Sequence, residues 1–335
     1  MSLKSLLELE DVKAYYRQVI GPRIRVVKAV DGVFLRIYER EVVGIVGESG
    51  CGKSTLANVI MMNIKPPLRF VEGFIKLYTS QGVLNLEKLT KNYLKSSVWG
   101  KEIAIVPQSA LNALMPTLKI KRIIYDVLRS HLHDIDMDKV VDLASKRFKE
   151  LGLPEIALDM YPFELSGGMR QRAVIAISTL LNPRILIADE PTSALDVVTQ
   201  KMVLKTFRDV FDKEIIKSII FISHDIATVR QIATRMVVMY AGKIIEDGPT
   251  EDLISKPLHP YSDGLINSVL TPEEEVRKRG LRYIPGHPPD LSNPPPGCRF
   301  HPRCPHALDI CRKEEPPMVR VNANRFVSCW LYVKR

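Results

Sequence analysis

The chain is poor in cysteine, with five in 335 residues, and it has two tryptophans. It also lacks any apolar run near the ~18 residues that a membrane-crossing helix needs. Its first residues, MSLKSLLELEDVKAYY, alternate apolar and charged side chains and hold no long apolar core of the signal-peptide kind. These absences argue against a disulfide-built domain and a membrane channel, and the expectation is a cytosolic setting, where structural disulfides are rare. What remains is ordinary globular composition, 46% hydrophobic and 26% charged. The length suits one large α/β domain with an appendage, or two modest domains.

The scarcity is uneven. Four of the five cysteines stand at positions 298, 304, 311 and 329, and Cys51 lies far upstream. Charge is uneven too: the net charge is +10, and from Val276 to Arg335 twelve Lys and Arg oppose four Asp and Glu. Such a tail suits nucleic acid or an anionic membrane surface, and equally a plain solvated face. A metal site, a disulfide pair and chance all remain open for the cysteines at this point.

The most informative segment is EVVGIVGESGCGKSTLANVI, Glu41 to Ile60. Val42 to Val46 reads as a buried strand. Gly47, Gly52, Lys53 and Ser54 then fit G-x-x-x-x-G-K-[ST], and a helical pattern follows through Leu56, Val59 and Ile60. Gly47, Glu48, Ser49, Gly50, Cys51, Gly52, Lys53, Ser54 and Thr55 are the expected phosphate cradle. Backbone N–H groups freed by glycine converge on phosphate oxygens, and the helix N-terminus adds its positive end. Lys53 would reach the β- and γ-phosphates of ATP, Ser54 would ligate Mg²⁺, and Thr55 would support the α-phosphate. Cys51 reads as a small filler.

A nucleotide site also needs an acidic strand end for its metal. RILIADEPTSALD, Arg184 to Asp196, supplies one, because the apolar Ile185 to Ala188 run into Asp189 and Glu190. Asp189 would hold the Mg²⁺ and Glu190 would polarise the attacking water. Paired carboxylates at a buried strand end are costly without a cation.

LSGGMRQR, Leu165 to Arg172, resembles the signature of the ATP-binding cassette (ABC) ATPases. Other elements follow in that family's order: Gln108 matches the Q-loop, Ser193 to Asp196 the D-loop, and His224 the switch histidine. Tyr16 matches the adenine-stacking aromatic, with Tyr15 an adjacent competitor. The resemblance implies an α/β P-loop fold with a RecA-like mixed sheet, an antiparallel β subdomain, an inserted helical subdomain and a small C-terminal extension. It places the ATP-binding core at 1–108 and 174–260, the helical subdomain at 109–173 and the extension at 261–335. It also implies a head-to-tail dimer closing on two ATP molecules. There Ser166, Gly167 and Gly168, with Asp196, would meet nucleotide held by the partner, while Glu190, His224 and Gln108 serve catalysis. Gln108 would contact Mg²⁺ as well.

With one cassette and no membrane span, the channel must come from other chains. GESGCGKST, LSGGMRQR, HPYSDGLINSVL (259–270) and the block from Ile284 to Cys329 are similar to ATPases of oligopeptide and dipeptide permeases. The resemblance implies an ATPase at the cytoplasmic membrane face, bound to a second ATPase subunit, like or unlike, and to two transmembrane permease subunits. An extracellular solute-binding protein would deliver peptide, or a related solute such as an oligosaccharide or nickel. Pro107-Gln108-Ser109-Ala110 departs from that pattern, which has an aromatic before the Gln and Asp-Pro after it. A ribosome- or nucleic-acid-acting ATPase is the alternative, and a nucleotide-binding regulator without turnover is a third reading.

Cys298, Cys304, Cys311 and Cys329 then become the expected ligands of a [4Fe–4S] cluster, with Zn²⁺ the alternative. Intervals of five, six and seventeen residues are looser than zinc knuckles. His301 and His306 lie inside the motif and read as surface or supporting residues. A Pro-rich tail with few core residues gains its cross-links from such a centre. Far along the chain from the phosphate loop, it reads as structural or interfacial.

Overall fold

The computed structural model describes residues 4–108, 113–132, 134–193, 195–268 and 283–333. Ser109 and Ala110, Ala194, and 269–282 with Val276 lie outside the described residues.

Two sheets are built from these strands. A long hairpin, β1 (Ser5–Ile20) and β2 (Arg23–Tyr38), precedes β3 (Glu41–Val46) and helix α1 (Lys53–Ile60). Then come β4 (Leu68–Thr79), β5 (Gly82–Asn85), a single helical turn α2 (Lys91–Tyr93) and β6 (Ile103–Val106). The antiparallel sheet has the order β2-β1-β4-β5.

Helices α3 (Ile120–Arg129), α4 (Met137–Glu150) and α5 (Gly167–Ser178) follow, before β7 (Ile185–Asp189), α6 (Val197–Asp212), β8 (Ser218–Ile222), α7 (Ile226–Ile232), β9 (Arg235–Tyr240) and β10 (Lys243–Pro249). Four of these helices start on side-chain caps: Asp136, Ser166, Asp196 and Asp225 each accept from the backbone N–H of the first turn of α4, α5, α6 and α7. Last are α8 (Thr250–Ser255), α9 (Pro260–Asn267), β11 (Met318–Asn322) and β12 (Arg325–Ser328).

The second sheet has the order β11-β12-β10-β9-β3-β8-β7-β6, parallel from β9 to β6 and antiparallel beyond. The middles of its central strands are apolar because both faces are covered. Successive side chains go to opposite faces. Val43, Ile45, Ile187, Ile220 and Val237 join α1 and the antiparallel sheet in one core. Val42, Val46, Leu186, Ile219 and Val238 join α3 to α7 in the other. The C-terminal extension continues this sheet, since β12 pairs with β10 through Glu246 and Val327.

Candidate functional site

The phosphate loop spans the gap between β3 and α1, and glycine is required at both ends. Gly52 has φ +110°, and a Cβ there would stand 2.0 Å from the carbonyl oxygen of Ala29. A Cβ on Gly47 would stand 2.2 Å from the carbonyl oxygen of Met239. Beside the loop lies a cavity of about 340 Å³. Ser49, Gly50, Gly52, Lys53, Ser54 and Thr55 line it, together with Tyr16, Val27, Ala29 and Leu291 and with Gln108 and Glu190. Lys53 is buried and its Nζ donates to the carbonyls of Gly47 (2.7 Å) and Glu48 (3.0 Å). Strand alternation separates the two tyrosines. Tyr16 lines the cavity with its hydroxyl 3.1 Å from Thr55 Oγ1, while Tyr15 donates to Asp31 outside it.

The end of β7 meets the start of α1. Ser54 Oγ donates to Asp189 Oδ1 at 2.9 Å. Burial, with the Glu190 charge adding to it, raises the Asp189 carboxyl above the usual carboxylate range, against the Ser54 bond and the charge of Lys53. A divalent cation beside this hydroxyl and carboxylate would supply the missing positive charge. The donor set fits Mg²⁺: hard oxygens, one carboxylate, and room for phosphate.

Glu190 follows with φ +47°, a left-handed backbone rarely adopted by a non-glycine residue. Its N–H donates to the carbonyl of Ile222 at 2.9 Å, and its carbonyl accepts from Ser193 Oγ at 2.9 Å. The carboxylate is held from both sides. Gln108 Nε2 donates to Oε2 at 3.2 Å, and His224 Nδ1 lies 3.3 Å from Oε1. Three residues from the ends of β6, β7 and β8 therefore meet at one carboxylate.

Other expected residues stand apart. Ser166, Gly167 and Gly168 open α5 away from the cavity, with Ser166 Oγ accepting from the Met169 N–H. Asp196 caps α6, accepting from the N–H groups of Val198 and Thr199 at 3.0 Å each. Within one chain the signature and the phosphate loop are separate surfaces. Glu48 differs from expectation, because both its N–H and its carboxylate are engaged behind the loop. The N–H donates to Tyr261 Oη at 2.8 Å, and the carboxylate accepts from Arg303 at 2.8 and 2.9 Å. Cys51 is buried, which raises its thiol pKa and keeps it a neutral filler.

The four tail cysteines are unpaired, and Cys298 lies within electrostatic reach of the other three. Burial first, and then the neighbouring Cys311, Cys329 and Cys304, push the Cys298 thiol up to about 12. Burial likewise pushes Cys329 up to about 11, with Cys304 and Cys311 adding to it. Among the described residues no group of three or more His, Cys, Asp or Glu stands ready to hold a metal ion.

The tail is not remote from the phosphate loop, as its position in the chain suggested. Arg303, the residue before Cys304, forms the bidentate pair with Glu48 and also reaches Tyr240 Oη at 3.3 Å. Arg299, the residue after Cys298, pairs with Asp31, the partner of Tyr15. The carbonyl of Leu291 accepts from the Lys28 N–H at 3.0 Å, and Arg25 forks onto Asp290. Sequence reasoning missed these residues because no local spacing joins partners more than 250 positions apart.

Comparison with known proteins agrees with this geometry. A family model described as ABC transporter matches residues 30–193, and one described as oligopeptide/dipeptide transporter, C-terminal region, matches residues 245–311. The chain is 40% identical to the dipeptide transport ATP-binding protein DppD of Caldanaerobacter subterraneus subsp. tengcongensis, over 98% of this chain and 97% of that one. It is 40% identical to the oligopeptide transport ATP-binding protein OppD of Bacillus subtilis, over 97% of this chain and 88% of the other. A solved dimeric ATP-binding cassette, in a post-hydrolysis state with ADP and Pi, is similar with TM-score 0.61 and 26% identity. The match covers 73% of this chain and 99% of that one.

Proposed function

The chain belongs to the ABC transporter family, in its oligopeptide and dipeptide branch, and on that premise we propose how its cavity powers peptide import. It is an ATPase subunit that dimerises and works with membrane permeases to drive import of peptides. The alternative of a ribosome- or nucleic-acid-acting ATPase has no support in either family match.

Lys53 and the amides of the phosphate loop bind the β- and γ-phosphates, and Tyr16 stacks on adenine. Ser54 and Asp189, with Gln108, hold Mg²⁺, which neutralises phosphate charge when bound. Glu190 orients and polarises the attacking water, Gln108 holds one carboxylate oxygen and His224 the other, next to the γ-phosphate end. Phosphoryl transfer needs positioning and charge stabilisation more than covalent chemistry, and this trio provides both. Ser166, Gly167, Gly168 and Asp196 face a partner's nucleotide, so closure of the dimer completes each site. Gln171 in the same helix donates to the Pro191 carbonyl at 2.7 Å, which ties α5 to the Glu190 turn. The observation that carries this reading is Glu190 held between Gln108 and His224 beside the Ser54–Asp189 pair. Steady-state hydrolysis by the Glu190→Gln variant tests it: ATP binding persists and turnover is lost. Retained turnover overturns the assignment.

We infer core, helical subdomain and extension at 1–108 with 174–260, 109–173 and 261–335. The subunit sits peripherally at the cytoplasmic face, held by two permease subunits that an external binding protein supplies. No helix among the described residues is long and apolar enough to cross a membrane. The partner ATPase is a like or a similar chain.

For the cysteines we infer a [4Fe–4S] cluster in preference to Zn²⁺. A cube takes one thiolate on each iron, so four gathered thiols need not converge on a single ion as they must for zinc. Thiols whose burial and mutual proximity raise their pKa values are a poor arrangement on their own and a good one around cationic iron. The centre supplies cross-links to a tail with little core. Visible absorption with iron, sulfide and zinc analysis of anaerobically prepared protein tests this, and stoichiometric zinc without iron overturns it.

A further inference from the structure

We propose that the C-terminal extension forms one wall of the nucleotide site, with Leu291 packing on the base-bearing end of the nucleotide and Arg303 positioning the phosphate loop from behind. The proposal rests on reading the cavity as an ATP site. Leu291 lines that cavity with Tyr16, Val27 and Ala29, and Tyr16 pairs with Val27 across the β1–β2 hairpin. Its placement is built. Its carbonyl accepts from the Lys28 N–H, between the two β2 residues that line the same cavity. Asp290 closes a turn by accepting from the Ser292 and Asn293 N–H groups, and its carboxylate takes the Arg25 fork at 2.9 and 3.0 Å. An apolar side chain fixed in the same cavity wall as an aromatic one suits a flat, largely apolar face, which adenine has and phosphate lacks.

Arg303 acts at the other end of the extension. Its guanidinium is almost fully buried, its Nε donates to the Pro285 carbonyl at 2.7 Å, and its two NH groups grip the Glu48 carboxylate. Glu48 is thereby anchored through its side chain by Arg303 and through its N–H by Tyr261. Glu48 does not line the cavity, so both anchors fix the Gly47–Gly52 loop from outside it. Arg303 touches no nucleotide, and its effect passes through Glu48.

Equilibrium binding of ATP and of inorganic triphosphate to the full chain tests both parts. The unaltered chain binds ATP and loses it in Lys53→Ala. Failure there sinks the ATP-site reading itself. Given that binding, Leu291→Ala raises the ATP Kd about tenfold and leaves the triphosphate Kd unchanged, while Leu291→Met retains ATP affinity. An unchanged ATP Kd, or an equal loss for both ligands, overturns the wall. Arg303→Gln raises the Kd for both ligands, and its effect is not additive with that of Glu48→Gln. Additive effects, or a lowered melting temperature with unchanged affinities, overturn the positioning role.

Discussion

The ATP-binding core and the C-terminal extension solve the same problem by opposite means. The core strands β3, β7 and β8 each carry one polar residue, at an end (Glu41, Asp189 and Ser218), and their alternate apolar side chains fill two cores on the two faces of one sheet. The extension has little apolar core of its own: Val327 and Cys329 cluster with Leu258 of the core, Val319 packs against them, and Tyr261, Ile266 and Phe300 join the main core. What binds it to the core is a set of arginines on acidic partners: Arg299 on Asp31, Arg303 on Glu48 and Arg325 on Glu246. Burial is non-directional and tolerant. A buried ion pair is directional, and removing one partner leaves an uncompensated charge. The core is therefore robust scaffold, whereas the extension is located to within hydrogen-bond distance of the phosphate loop.

Chemistry belongs to the core side of this contrast, so the largest effect is expected there. Glu190→Gln lowers the single-turnover hydrolysis rate on the order of 10³-fold and spares ATP binding and the melting temperature. Its carboxylate is met by Gln108 and His224, not by the fold's interior. A comparable loss of melting temperature would move Glu190 from the chemistry to the scaffold.

Removing core burial comes next. Phe221 is fully buried on β8 and meets Phe207 edge-on at 5.7 Å between centroids. Phe221→Ala costs about 4 kcal/mol in denaturant unfolding and lowers protection from hydrogen exchange across core and extension together. Loss confined to one of them would show the two to be independent units.

How much of this was legible in the sequence follows the same division. Gly47 to Ser54, Asp189 with Glu190, and Ser166 with its glycines are readable because each motif is contiguous, and its chemistry depends on residues a few positions apart. That Tyr16 lines the cavity while Tyr15 bonds to Asp31 becomes visible only with the pleat of β1. Glu48 looked like another cradle residue until its partner 255 positions away was seen. The addition of β12 to the core sheet was equally hidden, since RFVS is short and its register is set by Glu246 and Asp247 on β10.

Arg325 gives the sharpest test of the extension. Glu246 is fully buried and also accepts from the Leu258 and His259 N–H groups at 2.9 Å each. Arg325→Met leaves that carboxylate without its cation and costs about 3 kcal/mol. Hydrogen exchange should rise first at Met318 to Ser328, with β3, β7 and β8 still protected. Adding Glu246→Gln recovers part of the loss. No recovery would mean that Arg325 acts by packing alone.

The smallest effect is a pH dependence at the joint between the two regions. His259 is buried against the Phe300 ring, 5.7 Å between centroids, and its Nδ1 accepts from the Tyr261 N–H at 3.0 Å. Burial lowers its pKa to about 3, so the folded chain keeps it neutral. The unfolded chain protonates it near ~6.5, and below that pH it binds a proton that the folded chain does not. The stability from a neutral His259 is thus fully present above ~6.5 and is lost as pH falls, at up to ~1.4 kcal/mol per pH unit. In His259→Asn a side-chain acceptor still caps α9 and the titrating ring is gone. Denaturant midpoints between pH 7 and pH 5 should fall less steeply in that variant, whatever its absolute stability. Equal slopes would place the acid sensitivity elsewhere than His259, for example at the carboxylates that pair with the arginines of the extension.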